Sequence, residues 1–154
     1  CGIDIEPDAG YTYGNQESVV NGSRFFDNNG YGMAVGGPTG LNKNVSIINV
    51  TGGNNALGFL NVASCDDPIV QNVIAYDHPT ATRGIIDVGT LIVNPIIDGA
   101  TFINITAGVL LADPNITFPV TVASPGTAIV TLKGFSTNGT SINKFSIESA
   151  YVPV

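Results

Sequence analysis

The chain has 154 residues and a formal net charge of −7, and only 11% of its residues are charged, against roughly a quarter in an ordinary soluble domain. The 44% hydrophobic content excludes wholesale disorder, and the acidic balance removes the electrostatic basis for binding nucleic acid or an anionic membrane. Strong helix formers are scarce, whereas 19 glycines, 9 prolines and 16 asparagines favour frequent turns. The composition therefore argues against a mainly helical fold.

The first residues form a strand pattern. Gly2 to Pro7 alternate apolar and polar side chains, with no initiator Met and no signal-peptide pattern before them. We therefore expect the chain to continue from an upstream segment. No apolar run approaches the roughly 20 residues that span a bilayer, so we predict no membrane insertion. The two cysteines, Cys1 and Cys65, define no disulfide framework, and we expect free thiols rather than a bridge.

An internal repeat follows along the chain. An apolar residue with a second one five positions later recurs roughly every 25 residues, in the pairs Val20 and Phe25, Val45 and Val50, Val70 and Ala75, and Ile97 and Phe102. A glycine before a bulky apolar residue recurs at nearly the same spacing, at Gly32, Gly58, Gly84 and Gly108. Turn-rich stretches of Asn, Asp and Gly separate these landmarks. Two landmarks with nearly one period indicate a repeat architecture.

The repeat predicts an all-β fold. Short strands at a period of about 25 residues, with no helical segment between them, exclude leucine-rich and helical solenoids. They favour a parallel β-helix over residues 1–114. Each coil would place its apolar residues along a common axis and pair with the next coil about 4.8 Å away. The alternative is a β-sandwich whose strands have this spacing by coincidence.

The repeat stops at Asn115. From there to residue 154, three alternating stretches with turn signals between them predict antiparallel strands, at Val120–Val122, Ala128–Leu132 and Ile142–Ile147. We predict that residues 115–154 form a small C-terminal β cap or oligomerisation appendix. Such a cap would cover the last coil, whose open edge and apolar axis would otherwise invite aggregation.

Two carboxylates in the opening strand are the first catalytic candidates. If Ile3 and Ile5 point into the axis, Asp4 and Glu6 both point outward, with Cα atoms about 6.5 to 7 Å apart. Paired carboxylates, one protonated as the acid and one ionised as nucleophile or base, are the equipment of a glycosidase. The alternative for both residues is that they are solvated surface acids.

Later coils add polar candidates to the same face. Reading Leu60 and Val62 inward places Asn61 outward, and reading Ile86 and Val88 inward places Asp87 outward beside the Asp4 position. The predicted result is a polar groove across stacked strands, with Asp87 as a third catalytic candidate and Asn61 as a substrate contact.

The turns supply the remaining substrate-binding candidates. His78 and Arg83 precede the Asp87 strand, where they would bind an acidic sugar or assist proton transfer. Tyr11 and Tyr13, with Tyr31, would stack on sugar rings. The alternatives are a surface imidazole with no role, an arginine paired with a nearby acid, and tyrosines that cover the first coil.

Other site motifs are missing from the sequence. It contains no glycine-rich phosphate loop, no zinc-ligand spacing and no GxSxG elbow. Asp66 and Asp67 are adjacent acids that face opposite ways in a strand, which is a poor calcium signal. We therefore predict no metal site and no cofactor.

Two segments carry a family resemblance. GIDIEP at Gly2–Pro7 and SRFFDNNGYGMAV at Ser23–Val35 resemble the pectate-lyase-like right-handed parallel β-helix superfamily, which includes polysaccharide lyases, glycoside hydrolases and bacteriophage tailspike depolymerases. The asparagine-rich turns, low charge and C-terminal appendix are most similar to the C-terminal part of a tailspike. This resemblance implies an extracellular homotrimer on the virion surface, made of side-by-side helices, that binds bacterial surface glycan.

Three functions remain open from the sequence. The first is polysaccharide binding and cleavage, with Asp4 and Glu6 as the reacting pair. The second is a non-catalytic trimeric shaft and receptor-binding tip, whose candidate subunit interface comprises Leu91, Ile92, Val93, Phe118, Val120 and Val122. The third is a secreted pectin-type lyase or hydrolase, which would ordinarily carry more basic residues around the groove. The few basic residues favour a neutral or weakly charged glycan.

Overall fold

A computed structural model of the chain describes residues 1–6, 13–36, 41–78, 85–93, 96–105, 108–112, 120–122, 128–135 and 144–151. Within these ranges it contains strands and no helix, and thus no helix long and apolar enough to cross a membrane. In chain order the strands are β1 (Ile3–Ile5), β2 (Tyr13–Gln16), β3 (Val19–Asn21), β4 (Arg24–Phe26), β5 (Tyr31–Val35), β6 (Leu41–Lys43), β7 (Ser46–Ile48), β8 (Thr51–Gly53), β9 (Gly58–Asp66), β10 (Ile69–Tyr76), β11 (Ile86–Val93), β12 (Ile96–Ile105), β13 (Gly108–Ala112), β14 (Val120–Val122), β15 (Ala128–Phe135) and β16 (Lys144–Tyr151).

The strands form two eight-stranded sheets between which the chain alternates. In the first sheet β1, β5, β9, β11 and β13 lie side by side and pair in parallel, with β2 and β6 extending the row beside β9. In the second sheet β3, β7, β10 and β12 pair in parallel, and β4 and β8 extend it beside β10. The predicted all-β fold with parallel strands is confirmed, and the arrangement is compatible with a parallel β-helix.

The strand register corrects the predicted repeat in the second coil. The partners of Val20 along the second sheet are Ile47, Val70 and Ile97. The stretch of chain from Ile47 to Val70 is therefore shorter than the stretches before and after it. Val45, the predicted partner of Val20, is buried but out of register. The error arose because a longer and a shorter coil follow each other, and their differences cancel over two coils.

The second residue of the apolar pair in this coil is also corrected. Phe25 pairs with Gly52, not with the predicted Val50. A Cβ atom at Gly52 would overlap the ring of Phe59, which fills the volume that a side chain would take. Glycine is not recognised in a pattern of apolar residues, so the pattern instead selected Val50, a buried valine two residues earlier.

The core lies between the two sheets, as the alternating pattern predicts. In the first sheet Met33, Val35, Leu60 and Ile86 are almost fully buried. Ile3 and Ile5 of β1 are half-buried and pack against this cluster. The second sheet contributes Ile47, Val70, Val73, Ile97, Ala100 and Phe102.

The C-terminal strands pair in the opposite sense. β14 is antiparallel to β13 in the first sheet, while β15 is antiparallel to β12 and β16 is antiparallel to β15 in the second. The predicted strand at Val120–Val122 is β14, and the other two predicted strands overlap β15 and β16. The change from parallel to antiparallel pairing falls between Ala112 and Val120. A separate unit over residues 115–154 stays a prediction.

Candidate functional site

The acid pair lies at the edge of the first sheet. Strand β1 pairs with β5, and its Asp4 side chain is exposed while the flanking isoleucines pack on the core. The Glu6 side chain, directly after β1, is also exposed. The hydrogen bond to the Asp4 side chain raises the pKa of Glu6, and the charge of Asp4 acts in the same direction. The two carboxyl groups therefore lie close enough for Asp4 to act on the Glu6 carboxyl.

This contact decides what the pair can do chemically. Retaining glycosidases hold their carboxyl groups roughly 5 to 5.5 Å apart, and inverting enzymes hold them farther apart to admit a water molecule. Carboxyl groups joined by a hydrogen bond are closer than either arrangement. Because Asp4 raises the pKa of Glu6, Glu6 is the more suitable of the two to act as the acid.

The polar candidates of later strands form one row with Asp4. The register aligns Asp4 with Ala34, Ala34 with Asn61, and Asn61 with Asp87. Asn61 is half-exposed between the buried Leu60 and Val62, as the alternation predicts. Three strand spacings separate Asp4 from Asp87, which is about 14 Å. That distance is too long for both acids to act on one glycosidic bond, and the catalytic role of Asp87 stays a prediction.

Asp87 is held by two side chains from neighbouring strands. The Tyr31 hydroxyl donates to Asp87 Oδ2 at 3.2 Å, and Asn61 Nδ2 donates to the same oxygen at 3.4 Å. Tyr31 lies on β5 and Asn61 on β9, so the cluster spans three adjacent strands. The sequence suggested Tyr31 only as one of several sugar-stacking tyrosines. No local signal indicates a contact between residues 56 positions apart.

Small residues occupy the surface between the acid pair and Asp87. Ala34 fills the row position next to Asp4. A Cβ at Gly36 would stand 3.3 Å from the Ala63 Cβ, and one at Gly89 would stand 2.7 Å from the Ala63 Cα. Gly36, directly after β5, Ala63 of β9 and Gly89 of β11 therefore lie side by side. They form a strip of small residues beside the row that contains Asp4, Asn61 and Asp87.

His78 is buried, which differs from its prediction as a surface group in a turn. Its side chain is 6% exposed, and its ring centroid lies 5.8 Å from that of Phe59. Neither ring nitrogen hydrogen-bonds with standard geometry to a residue that the structure describes. Burial lowers the pKa of His78, and the nearby backbone of Asn55 and Gly52 opposes this effect only in part. The imidazole therefore faces the core and does not contact a ligand on the outer face.

Three other predicted positions are less informative. Tyr11 and Arg83 lie outside the described residues. Tyr13 begins β2, and its backbone pairs with Leu41 of β6, away from the row that contains Asp4. The proposed roles of these residues stay predictions.

Of the predicted subunit-interface residues, Leu91–Val93 lie on β11 and Val120 and Val122 on β14, while Phe118 lies outside the described residues.

The cysteines and acids do not form a metal centre in the described ranges. No three His, Cys, Asp or Glu side chains converge there. Cys1 is exposed and Cys65 is buried, and both are free thiols. Burial raises the pKa of Cys65 to about 11, which keeps its thiol protonated and unreactive at neutral pH.

Comparisons with protein-family models, with curated proteins and with solved structures find no match to this chain.

Proposed function

We propose that this chain is part of a right-handed parallel β-helical protein that binds and cleaves bacterial surface polysaccharide on the outer face of the first sheet. The observation that carries the proposal is the pair of exposed carboxyl groups at Asp4 and Glu6, with Asp4 in register with the Asn61 and Asp87 positions. By its resemblance to phage tailspikes, the protein would be extracellular, trimeric and located on the virion.

The two carboxyl groups take different roles in this reaction. Glu6, whose pKa is raised by Asp4, acts as the acid that protonates the leaving glycosidic oxygen. Asp4 supports the positive charge that develops at the anomeric carbon or attacks that carbon directly. Both side chains are exposed, so they can adopt the wider spacing that a glycosidase needs.

The test uses the full-length protein and purified capsular or O-antigen polysaccharide. Asp4→Asn and Glu6→Gln are each expected to lower the rate of depolymerisation at least about a hundredfold, since each removes an acid–base group. Asp27→Asn, which changes an exposed acid directly after β4 of the second sheet, serves as the matched control. New reducing ends without ultraviolet absorbance would indicate hydrolysis, whereas an absorbing unsaturated product would indicate a lyase. Full depolymerisation by both variants would remove the assignment.

A non-catalytic shaft with a receptor-binding tip is the second candidate, and one observation favours it. The outer side of the second sheet exposes apolar side chains, with Val19 63%, Ile96 44% and Phe26 40% exposed. Such a surface suits contact with other subunits. Under this alternative, Asp4→Asn and Glu6→Gln leave the attachment of the protein to bacterial cells unchanged.

The third candidate, a pectin-type enzyme, is less well supported. Where the structure describes side chains, the charges on the outer face of the first sheet around the candidate site are the acids Asp4, Glu6 and Asp87. The Lys43 ammonium, on β6 of the same sheet, lies 3.9 Å from an Asp66 carboxylate oxygen, which offsets its charge. The described acids of this face do not favour a polyuronate.

A further inference from the structure

We infer that Asn29 is a site of spontaneous deamidation in the folded chain, a covalent modification that does not depend on the proposed function. An asparagine followed by glycine is prone to this reaction, because glycine has no side chain to hinder attack on the asparagine amide. Three such pairs occur in the sequence, beginning at Asn21, Asn29 and Asn138. The pair at Asn138 lies outside the described residues, and the other two differ in their surroundings.

The reaction is intramolecular and consumes only water. The backbone nitrogen of Gly30 loses its proton to solvent and forms a bond to the side-chain Cγ of Asn29. The bond between Cγ and Nδ2 of Asn29 then breaks, and Nδ2 takes up protons from water and leaves as ammonia. One water molecule opens the resulting succinimide ring to aspartate or to isoaspartate, in which the main chain runs through Cγ. No oxidation or reduction takes place.

The reacting groups of Asn29 and Gly30 are free of hydrogen bonds within the described part of the chain. Asn29 lies in the turn between β4 and β5, and its side chain is exposed. Neither this side chain nor the Gly30 N–H donates or accepts a hydrogen bond with a residue that the structure describes. The amide can therefore rotate towards the Gly30 nitrogen without giving up a contact in the described ranges.

The pair at Asn21 has the same sequence but is held in place. The Gly22 N–H donates to the Ile48 carbonyl at 3.1 Å, which makes its proton harder to remove. The Asn21 side chain is also fixed, because Asn49 Nδ2 donates to its Oδ1 at 3.1 Å. Both hydrogen bonds run to the neighbouring coil, so attack by Gly22 requires this corner to open first.

Deamidation at Asn29 also has a structural consequence. On one side of it, Asn28 donates from its backbone N and its Nδ2 to Asn55 Oδ1, at 3.2 and 2.7 Å. On the other side, the Gly30 carbonyl accepts from the Leu57 N–H at 3.2 Å. Isoaspartate adds a carbon atom to the main chain between these two held residues. Isoaspartate at Asn29 should therefore weaken the contact of this corner with the next coil.

The test compares deamidation rates in the full-length protein, incubated folded in mildly alkaline buffer and, in parallel, unfolded in urea. Trypsin cuts after Arg24 and Lys43, so Asn21 and Asn29 fall on different peptides, and tandem mass spectrometry locates the change in mass. In the folded protein Asn29 should react at least about tenfold faster than Asn21, because Asn21 must first give up two hydrogen bonds. In urea the two rates should be similar.

Gly30→Ala is the variant that tests the proposed nucleophile. A Cβ atom at Gly30 would lie 3.5 Å from the Cys1 nitrogen, which is an ordinary contact, and the φ of Gly30 is not in the left-handed region. The alanine should therefore be accepted by the fold. It should lower the rate at Asn29 severalfold, leave the rate at Asn21 unchanged and leave the thermal midpoint unchanged.

A second measurement follows the product. Ion exchange separates the deamidated protein by its added negative charge, and the fraction with isoaspartate at Asn29 should have a thermal midpoint about 2–4 °C below that of fresh protein. An equal midpoint would overturn the weakening of the corner. Equal rates at Asn21 and Asn29 in the folded protein, or reaction at Asn29 only in urea, would overturn the inference as a whole. Neither result bears on polysaccharide binding or cleavage, so the proposed function is tested separately.

Discussion

The ionisation of Glu6 depends on one neighbouring carboxyl group. The hydrogen bond and the charge of Asp4 raise the pKa of Glu6 above 4.5, so the folded chain holds this proton more tightly than the unfolded chain does. Replacing Asp4 by Asn is expected to lower the Glu6 pKa towards 4.5, as followed by ¹³C NMR of the side-chain carboxyl.

The sign of the linked stability change is also fixed. A raised carboxyl pKa makes the pair least favourable above that pKa, where both groups are ionised. The free energy of unfolding of Asp4→Asn should therefore decrease less than that of the wild type as the pH rises through the Glu6 pKa. Asp27→Asn is the control. A Glu6 pKa that does not change in Asp4→Asn would show that the carboxyl groups do not interact in solution.

His78 makes a second pH-dependent contribution, of opposite sign. Burial lowers its pKa below 6.5 in the folded protein, so the unfolded chain binds the proton first as the pH falls. Stability should decrease as the pH falls from about 7.5 to about 5.5. His78→Phe should remove this part of the decrease in stability. At about pH 7.5 it should also raise the free energy of unfolding by about 1–2 kcal/mol, because it replaces a buried polar ring by an apolar one.

Urea unfolding of both proteins at the two pH values measures the effect. The difference between wild type and variant is the relevant quantity, since other groups titrate equally in both. An identical pH dependence in the two proteins would show that His78 is protonated or solvated in the folded state.

The two thiols should differ sharply in reactivity. Cys1 is exposed, whereas burial raises the pKa of Cys65 to about 11. A disulfide reagent at about pH 8 is expected to modify Cys1 at once and Cys65 only after unfolding. Mass spectrometry of the modified chain locates the label, and Cys1→Ser is the control that should leave no rapidly reacting thiol. Rapid labelling of Cys65 in the folded protein would contradict its burial.

Individual strands are joined by buried asparagine side chains. Asn55 is fully buried, accepts from the Asn28 backbone and side-chain amides at 3.2 and 2.7 Å, and donates to the Phe25 carbonyl at 3.0 Å. Asn42, on β6 of the first sheet, makes similar bonds and donates to the Ile5 and Ser64 carbonyls at 3.2 and 3.3 Å. Each amide thus connects backbone groups of neighbouring coils.

Loss of one buried amide should be costly. Asn55→Ala leaves the Asn28 N–H and the Phe25 carbonyl without this partner in the interior. We expect a decrease of about 2–3 kcal/mol in the free energy of unfolding, measured in urea. Asn21→Ala, which removes an exposed asparagine that accepts one bond from Asn49, should cost less than about 0.5 kcal/mol. Equal losses for the two variants would mean that the Asn55 bonds do not contribute.

At the scale of elements, the sequence predicted the strands better than their partners. The alternation at Ile3–Glu6 and Leu60–Val62 assigned inward and outward side chains as the structure has them. The asparagines were recognised as turn residues, and Asn44, Asn49, Asn54 and Asn72 do adopt positive φ. The buried role of Asn55 was not predictable, because residue type alone does not distinguish a corner amide facing solvent from one facing the core.

Over the whole molecule, the two sheets present different outer faces. The first carries small and acidic residues, while the second carries the row of Val19, Ser46, Ile69 and Ile96. Two members of this row, Val19 and Ile96, are largely exposed apolar side chains. If the protein is the predicted homotrimer, this face is a better candidate for a subunit contact than a surface of charged residues would be.

A charge in this row should weaken self-association. Sedimentation velocity at micromolar concentration is expected to show a trimer for the wild type and a shift towards monomer for Ile96→Asp, since the interface would bury an unpaired carboxylate. Asn44→Asp, at an exposed corner, adds the same charge elsewhere and should leave the assembly unchanged. A monomeric wild type would remove the trimer and weaken the proposed tailspike function.

The sequence by itself determined what depends on composition and on short-range alternation. It excluded a helical fold, indicated parallel strands with turns of Asn, Asp and Gly, and placed Asp4 and Glu6 on one face. These conclusions follow from local physics: backbone preferences at corners and the alternation of side chains along a strand.

The tertiary structure alone decided everything that depends on register between distant strands. Variable coil lengths shifted Val45 and Val50 out of the predicted ladder, and a glycine at position 52 made room for the Phe59 ring. Burial turned His78 into a core residue, and strand order brought Tyr31 to Asp87 across 56 positions. These contacts arise from the stacking of coils, whose offsets no single stretch of sequence contains.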